Sequence, residues 1–299
     1  MKVGVCISGG GARIGFAVGV LEVMEEHKIK IDLAYGISAG SLCTAALCYG
    51  ELQEFKKILL AIKKRDEVLK KQWFKVIWTL LTGLGKADGV FKMDKMRRKL
   101  DTLPYEKPKI KGVVGYVKLQ SGVIEYKATD SVYSREEFVN AVQASCSMPV
   151  GMQSQRIGAD DCVDGGIRDV LPLKALVNDP LHVDEIHVIC LSPLTTPPTD
   201  KTKNILQVAE RSVDLLVNEV LQNDYDYAVR INKLIDHKHL LSSDLQSWLA
   251  KKRKIRLFRY LPTKAICETT DFCTEKIQKG IDHGREIASD VLKEYLPIP

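Results

Sequence analysis

Within its first fifty residues the chain runs twice from a short apolar segment through a glycine-rich turn into helical periodicity, and few folds accommodate that order. Val3–Ile7 reads as a buried strand, Gly9-Gly10-Gly11 as the turn, and Phe16, Val20, Val23 and Met24 recur at helical spacing up to His27. Residues 31–37 give a second strand, Gly36-Ile37-Ser38-Ala39-Gly40 a second turn, and Leu42, Ala45, Ala46 and Tyr49 a second helix stopped at Gly50. Two strand-to-helix units in succession specify a parallel sheet covered by helices, so the expected class is α/β.

Later segments extend this plan. Residues 51–103 read as helical throughout. Residues 113–117 and 123–126, separated by Gln120-Ser121-Gly122, read as an antiparallel pair, which makes the central sheet mixed though mostly parallel. Ser134-Arg135-Glu136-Glu137 has the pattern of a capping box that opens a helix running to about Ala144, before Met148-Pro149. Cys162-Val163-Asp164-Gly165-Gly166 reads as a strand end and turn. Residues 185–191 and 255–260 read as strands, and 201–236 and 271–295 as helices. No repeat and no low-complexity linker interrupts the chain beyond a proline-bearing loop at 193–198. A single domain over 1–299 is therefore expected, with a helical insertion over about 51–103 and a mainly helical C-terminal portion over about 201–299.

A composition of 45% hydrophobic and 27% charged residues is that of a folded, water-soluble chain. The longest strongly apolar stretch, residues 73–84, contains Lys75 and falls short of the roughly 20 residues of a membrane span. The opening Met1-Lys2-Val3-Gly4-Val5-Cys6-Ile7-Ser8 turns glycine-rich too soon for a secretory signal, so no export is expected. Eight scattered cysteines without a Cys-x-x-Cys read as free thiols of a reducing cytosol. His237 and His239 stand two apart on a predicted helix and so do not share a face; no metal and no other cofactor is expected.

Charge is uneven. The net value is only +6, yet Lys56, Lys57, Lys63, Lys64, Arg65, Lys70, Lys71 and Lys75 crowd one segment against Asp66 and Glu67. Trp73, Val76, Ile77, Leu80, Leu81 and Leu84 follow at helical spacing. Two readings stay open: a helix lying on an anionic membrane surface, or a core helix with a solvated basic face. The run Lys251-Lys252-Arg253-Lys254 reads as an exposed loop, too narrow for a nucleic-acid surface. The expected location is cytoplasmic, with peripheral membrane contact.

Chemistry concentrates at three places. A serine between strand and helix in Gly-x-Ser-x-Gly occupies a strained turn that exposes its hydroxyl, and the N-terminal amides of the following helix favour an oxyanion there. Gly9-Gly10-Gly11 can present backbone N–H groups to such an oxyanion, each typically worth ~3 kcal/mol in the transition state. The same run fails as a dinucleotide loop, because Ile14 stands where the third glycine is required and Asp32 stands at the start of the second strand, where the loop needs an acidic residue at its end. Tyr105 and Lys109 form a Tyr-x-x-x-Lys pair, but Pro108 interrupts the helix such a pair needs. Asp164, freed at a strand end by Gly165-Gly166, can reach a serine hydroxyl directly; a plain structural turn is the alternative. His283, the late histidine an ordinary Ser-His-Asp enzyme would use, reads as solvated on an exposed helix.

Several of these blocks, taken in order, resemble the patatin-like phospholipases. Gly9-Gly10-Gly11-Ala12-Arg13 is similar to the family's oxyanion segment, Gly19-Val20-Leu21-Glu22 to its following helix, and Gly36-Ile37-Ser38-Ala39-Gly40 to its nucleophile elbow. Ala144-Ser145-Cys146-Ser147-Met148-Pro149 and Asp164-Gly165-Gly166 resemble the stretch before the second catalytic block and that block itself. The resemblance covers about residues 3–191. It implies a three-layer α/β/α fold and metal-free acyl-ester hydrolysis of a phospholipid or lysophospholipid. Ser38 would be the nucleophile, Asp164 its base, and Gly9, Gly10, Gly11 and Ala12 the oxyanion hole. Ile14 and Val170 depart from the family pattern, which has glycine and asparagine there. Arg13 would orient the loop, attract a lipid phosphate or form a structural ion pair. An acyl-thioesterase or acyltransferase using the same dyad, and a lipid-binding protein that has lost catalysis, are the competing functions.

Overall fold

The computed structural model describes residues 1–72, 76, 78–79, 82, 88–103, 107–193, 205–250, 252–264, 266–293 and 295. Strand β1 (Val3–Ile7) is apolar and buried at every position, as a strand covered on both faces must be. It leads through a 3₁₀ turn at Gly11–Ile14 into α1 (Gly15–Glu26). Strand β2 (Leu33–Ile37), also wholly buried, leads into α2 (Ala39–Tyr49), which Gly50 ends in a left-handed cap. Next come α3 (Leu52–Leu60), β3 (Lys70–Lys71), β4 (Gly89–Lys92), α4 (Asp94–Asp101), β5 (Lys111–Lys118), β6 (Ile124–Ala128) and α5 (Arg135–Ser145). The chain continues through β7 (Val150–Met152), β8 (Gln155–Ile157), β9 (Asp160–Asp164), α6 (Leu173–Val177) and β10 (Glu185–Ile189). It closes with α7 (Ile205–Asp236), α8 (Ser243–Leu249), β11 (Arg256–Tyr260) and α9 (Thr274–Leu292).

The central sheet runs β11-β10-β1-β2-β5-β9-β8, with β6 also on β5. From β11 to β5 all neighbours are parallel, while β6, β8 and β9 pair antiparallel. One face of the sheet packs with α1, α2, α5 and α9, and the other with α6 and α7, giving the three-layer α/β/α arrangement with a mixed, mostly parallel sheet. Helix α1 is buried almost all round because it lies between the sheet and α9. The two helices approach through small residues: a side chain at Gly284 would stand 2.1 Å from the Phe16 carbonyl oxygen. Ser134 caps α5 as its pattern predicts, accepting from the Glu137 amide at 3.2 Å, while Glu137 reaches back to the Tyr133 amide at 3.0 Å.

One expectation needs correction. The segment 51–103 is not helical throughout: β3 and β4 pair antiparallel and, with β7 parallel to β4, form a second, three-stranded sheet. Strands of two to four residues are too short to show a period-two pattern, and β7, their partner, lies some sixty residues on in sequence. Most of the apolar stretch 73–84 lies outside the described residues; Val76, Trp78, Thr79 and Thr82 are described as helical, and Trp78 is 62% exposed. The loop at 193–198 and Tyr105 likewise fall largely or wholly outside them. Among the described residues no helix is long and apolar enough to cross a membrane.

Candidate active site

Ser38 joins β2 to α2 with φ 54° and ψ −125°, a backbone conformation that side chains rarely adopt. Holding a residue there costs on the order of 1–3 kcal/mol, so the neighbourhood must impose it. The Ser38 amide donates to Ser145 Oγ at 2.9 Å, and its carbonyl accepts from the Ser41 amide at 2.9 Å and Ser41 Oγ at 2.6 Å. Cys146 Sγ donates to the same carbonyl at 3.1 Å. The turn can be this tight because a side chain at Gly40 would stand 2.4 Å from the Ile7 carbonyl oxygen.

Asp164 lies 126 positions further on (164 − 38), and β5 brings it back. One edge of β5 carries β6, so the other must hold both β2 and β9: Ile37 sits opposite Gly115, and Asp164 opposite Tyr116. The C-terminal ends of β2 and β9 therefore meet head to head on adjacent residues of one strand. The Asp164 side chain is fully buried, its Oδ1 accepts from the Gly166 amide at 2.8 Å, and its own amide donates to the Ser147 carbonyl at 2.9 Å. Burial pushes the carboxyl up from 3.8 to about 7, while the Ser38 hydroxyl and the Gly166 amide act to hold it down. Oδ2 has no partner at full hydrogen-bond geometry among the described residues.

The triple-glycine turn contributes fewer free amides than its sequence suggests. Gly9 N–H donates to the Val170 carbonyl at 3.1 Å and Ala12 N–H to the Thr269 carbonyl at 2.8 Å, so neither is available to an oxyanion. The amides of Gly10 and Gly11 have no acceptor among the described residues. Gly9 instead gives space: a side chain there would press on Ser38 Cβ at 3.2 Å. Gly11 has φ 57° and lies against Thr269, whose carbonyl oxygen would stand 2.2 Å from an added Cβ. The two departures from the family pattern are absorbed by packing. Ile14 fills the core at 1% exposure, and Val170 is buried while its carbonyl, which any residue supplies, holds Gly9.

Arg13 takes the structural role. Its Nε donates to the Cys267 carbonyl at 3.0 Å, Nη1 donates to Ser192 Oγ at 2.7 Å, and Nη2 lies 3.5 Å from Asp214 Oδ2. It thereby ties the glycine turn to three late segments. His283 was expected to be solvated, and this is corrected: it is 7% exposed, lies 5.7 Å from the Phe16 ring, and accepts from the Thr263 amide at 3.2 Å through Nε2. Its burial comes from α1, which the local helical pattern cannot reveal. Asp169 accepts from the Tyr126 hydroxyl; burial pushes its carboxyl up, and burial together with the Asp169 charge pushes up that of Asp224 on α7. Among the described residues no cluster of three or more His, Cys, Asp and Glu is arranged to hold a metal.

Ser38, Asp164 and the three glycines open into one cavity of about 400 Å³. Its walls are apolar, with Leu42, Leu69, Val90, Met93, Met148 and Phe272 prominent. Sequence reasoning did not assign these wall residues. Leu69 and Val90 come from the region of the second sheet, and Phe272 from the loop before α9, which begins at Thr274 rather than Asp271.

Comparison with solved structures finds VipD from Legionella pneumophila similar in fold, at 14% identity and a TM-score of 0.50. The match covers 97% of this chain and 66% of that one, so the chain spans less than two thirds of its neighbour's length. The model of the family described as patatin-like phospholipase matches residues 5–177. With more than half of its 299 residues so matched, the chain belongs to the patatin-like phospholipase family.

Proposed function

We propose that the protein hydrolyses the acyl ester of a phospholipid or lysophospholipid through a Ser38–Asp164 dyad. One observation carries this reading: a serine at a strained elbow, a buried carboxyl and two amides without an acceptor among the described residues open together into a single apolar cavity. Asp164 takes the proton as Ser38 Oγ attacks the ester carbonyl, and the amides of Gly10 and Gly11 receive the oxyanion. Collapse of the tetrahedral intermediate expels the alcohol, which takes the proton back from Asp164, and leaves acyl-Ser38. Asp164 then takes a proton from water as the water oxygen attacks the acyl carbonyl, and collapse of this second tetrahedral intermediate breaks the bond to Ser38 Oγ, which takes the proton back from Asp164 as the fatty acid leaves. A carboxyl near 7 suits both directions of transfer at neutral pH, and base catalysis of this kind contributes ~10²- to 10⁴-fold.

The cavity's volume and apolar walls suit one acyl chain. On the same footing we propose that 1–299 is a single domain, since β11 extends the main sheet and α9 packs on α1. We also propose a cytoplasmic protein that meets an anionic membrane from one side through its basic segment. Release of fatty acid from phospholipid and lysophospholipid, compared between the wild type and Ser38→Ala, tests the reaction. The variant should lose ester hydrolysis by ~10³-fold or more and keep its melting temperature within a few degrees. Retained hydrolysis in Ser38→Ala refutes the nucleophile. Release from a thioester alone, or acyl transfer to an acceptor, replaces the phospholipase reading with the thioesterase or transferase one.

A further inference from the structure

The cavity that holds Ser38 is apolar inside but carries cations from the segment around the second sheet, and those cations lack carboxylate partners among the described residues. Four charged side chains besides Asp164 line it: Arg13, Asp214, Arg65 and Lys71. Arg13 and Asp214 are committed to each other at 3.5 Å. Arg65, on the short 3₁₀ turn before β3, is partly buried with its guanidinium 5.1 Å from the centre of the Phe91 ring. Lys71 sits on β3 directly opposite Phe91 of β4. Neither Arg65 nor Lys71 makes an ion pair or side-chain hydrogen bond with any described residue.

A partly buried guanidinium without a counter-ion is costly, and its five donors are oriented for planar or tetrahedral oxyanions. The face of the Phe91 ring attracts the guanidinium without accepting a conventional hydrogen bond from its donors. We infer that Arg65 and Lys71 form a subsite for the phosphate of the substrate's headgroup, while the acyl chain lies in the apolar part of the same cavity. The inference rests on the ester-hydrolase reading and adds the source of headgroup selection. Neither residue belongs to the glycine turn, the elbow or the Asp-Gly-Gly turn, so this selectivity is a property of the second-sheet region. A phosphate-bearing lipid ester is favoured over a neutral glyceride of the same chain, because only the former neutralises the pair.

The test uses the full chain and two short-chain, monomeric substrates with the same acyl group, a lysophospholipid and a monoacylglycerol. Monomeric substrates remove any contribution from attraction to a charged membrane surface. In Arg65→Gln/Lys71→Gln the ratio of kcat/KM for the lysophospholipid to that for the monoacylglycerol should fall by about tenfold, mostly through KM. Arg65→Lys/Lys71→Arg, which retains both charges, should restore most of the ratio. Added inorganic phosphate at constant ionic strength should raise KM for the lysophospholipid in the wild type and not in the double Gln variant. An equal fall on both substrates, or no fall on either, overturns the subsite. If phosphate changes monoacylglycerol hydrolysis in the wild type alone, the pair binds a free anion as an effector and the headgroup assignment is overturned. Failure of the wild type to hydrolyse either ester points instead to failure of the underlying reaction.

Discussion

Replacing Asp164 by Asn should make the protein more stable and catalytically inert, and the size of the gain should depend on pH. The buried carboxyl stands at about 7 against an ordinary 3.8, so ionising it in the fold costs about three pH units of affinity. At ~1.4 kcal/mol per unit that is about 4 kcal/mol once the pH is well above 7. A carboxyl whose folded value is raised favours the folded state fully below its unfolded value, and this contribution is lost as the pH rises through about 7. Asn keeps the acceptor for the Gly166 amide and removes the charge, but it introduces a buried NH₂ that must find a partner such as Ser38. The net gain at pH 8 should be about 1–3 kcal/mol, shrinking toward zero near pH 4. Melting temperatures of wild type and variant at pH 4.5, 6 and 8 measure it, beside ester hydrolysis at pH 8, which should fall by ~10³-fold or more. A variant destabilised equally at every pH, or one that keeps its activity, would show that Asp164 is neither a strained buried acid nor the base.

Two further substitutions probe the glycine turn and the buried carboxyl on α7. Gly11→Ala meets both a positive φ and the Thr269 carbonyl oxygen at 2.2 Å, so it should lower stability by about 2 kcal/mol or more and cut kcat over tenfold, read by melting and by hydrolysis of a soluble ester. Asp224→Asn should raise the melting temperature at pH 8 relative to pH 5, because burial and Asp169 push its carboxyl up and its favourable contribution is lost as pH rises; a pH-independent effect would contradict a carboxyl raised by burial beside Asp169.

The sequence was most legible where local chemistry alone decides the structure. Val3–Ile7 was bounded correctly because an unbroken apolar run next to glycines has few alternatives, and Ser134 because a cap is a four-residue event. The elbow was readable for the same reason, since strand, Gly-x-Ser-x-Gly and helix are contiguous. Distant pairings were not readable. Nothing near Gly9 or Ala12 in sequence shows that Val170 and Thr269 occupy their amides, so four oxyanion donors were expected where two lack an acceptor among the described residues. The second sheet escaped notice because β4 finds β7 across a long separation, and with it went the apolar walls of the cavity and its unpaired cations. His283 was misplaced because its own helix is amphipathic in isolation, whereas α1 covers the face that carries it.

The central claim is that Ser38, Asp164 and the amides of Gly10 and Gly11 act on one acyl group inside one cavity. A crystal structure of the protein after reaction with a long-chain alkyl fluorophosphonate tests it most directly. The account predicts phosphorus bonded to Ser38 Oγ, its phosphoryl oxygen about 3 Å from the Gly10 and Gly11 nitrogens, and the alkyl chain along Leu69, Val90 and Phe272. Phosphorus on another residue, or a phosphoryl oxygen turned away from both amides, would contradict it.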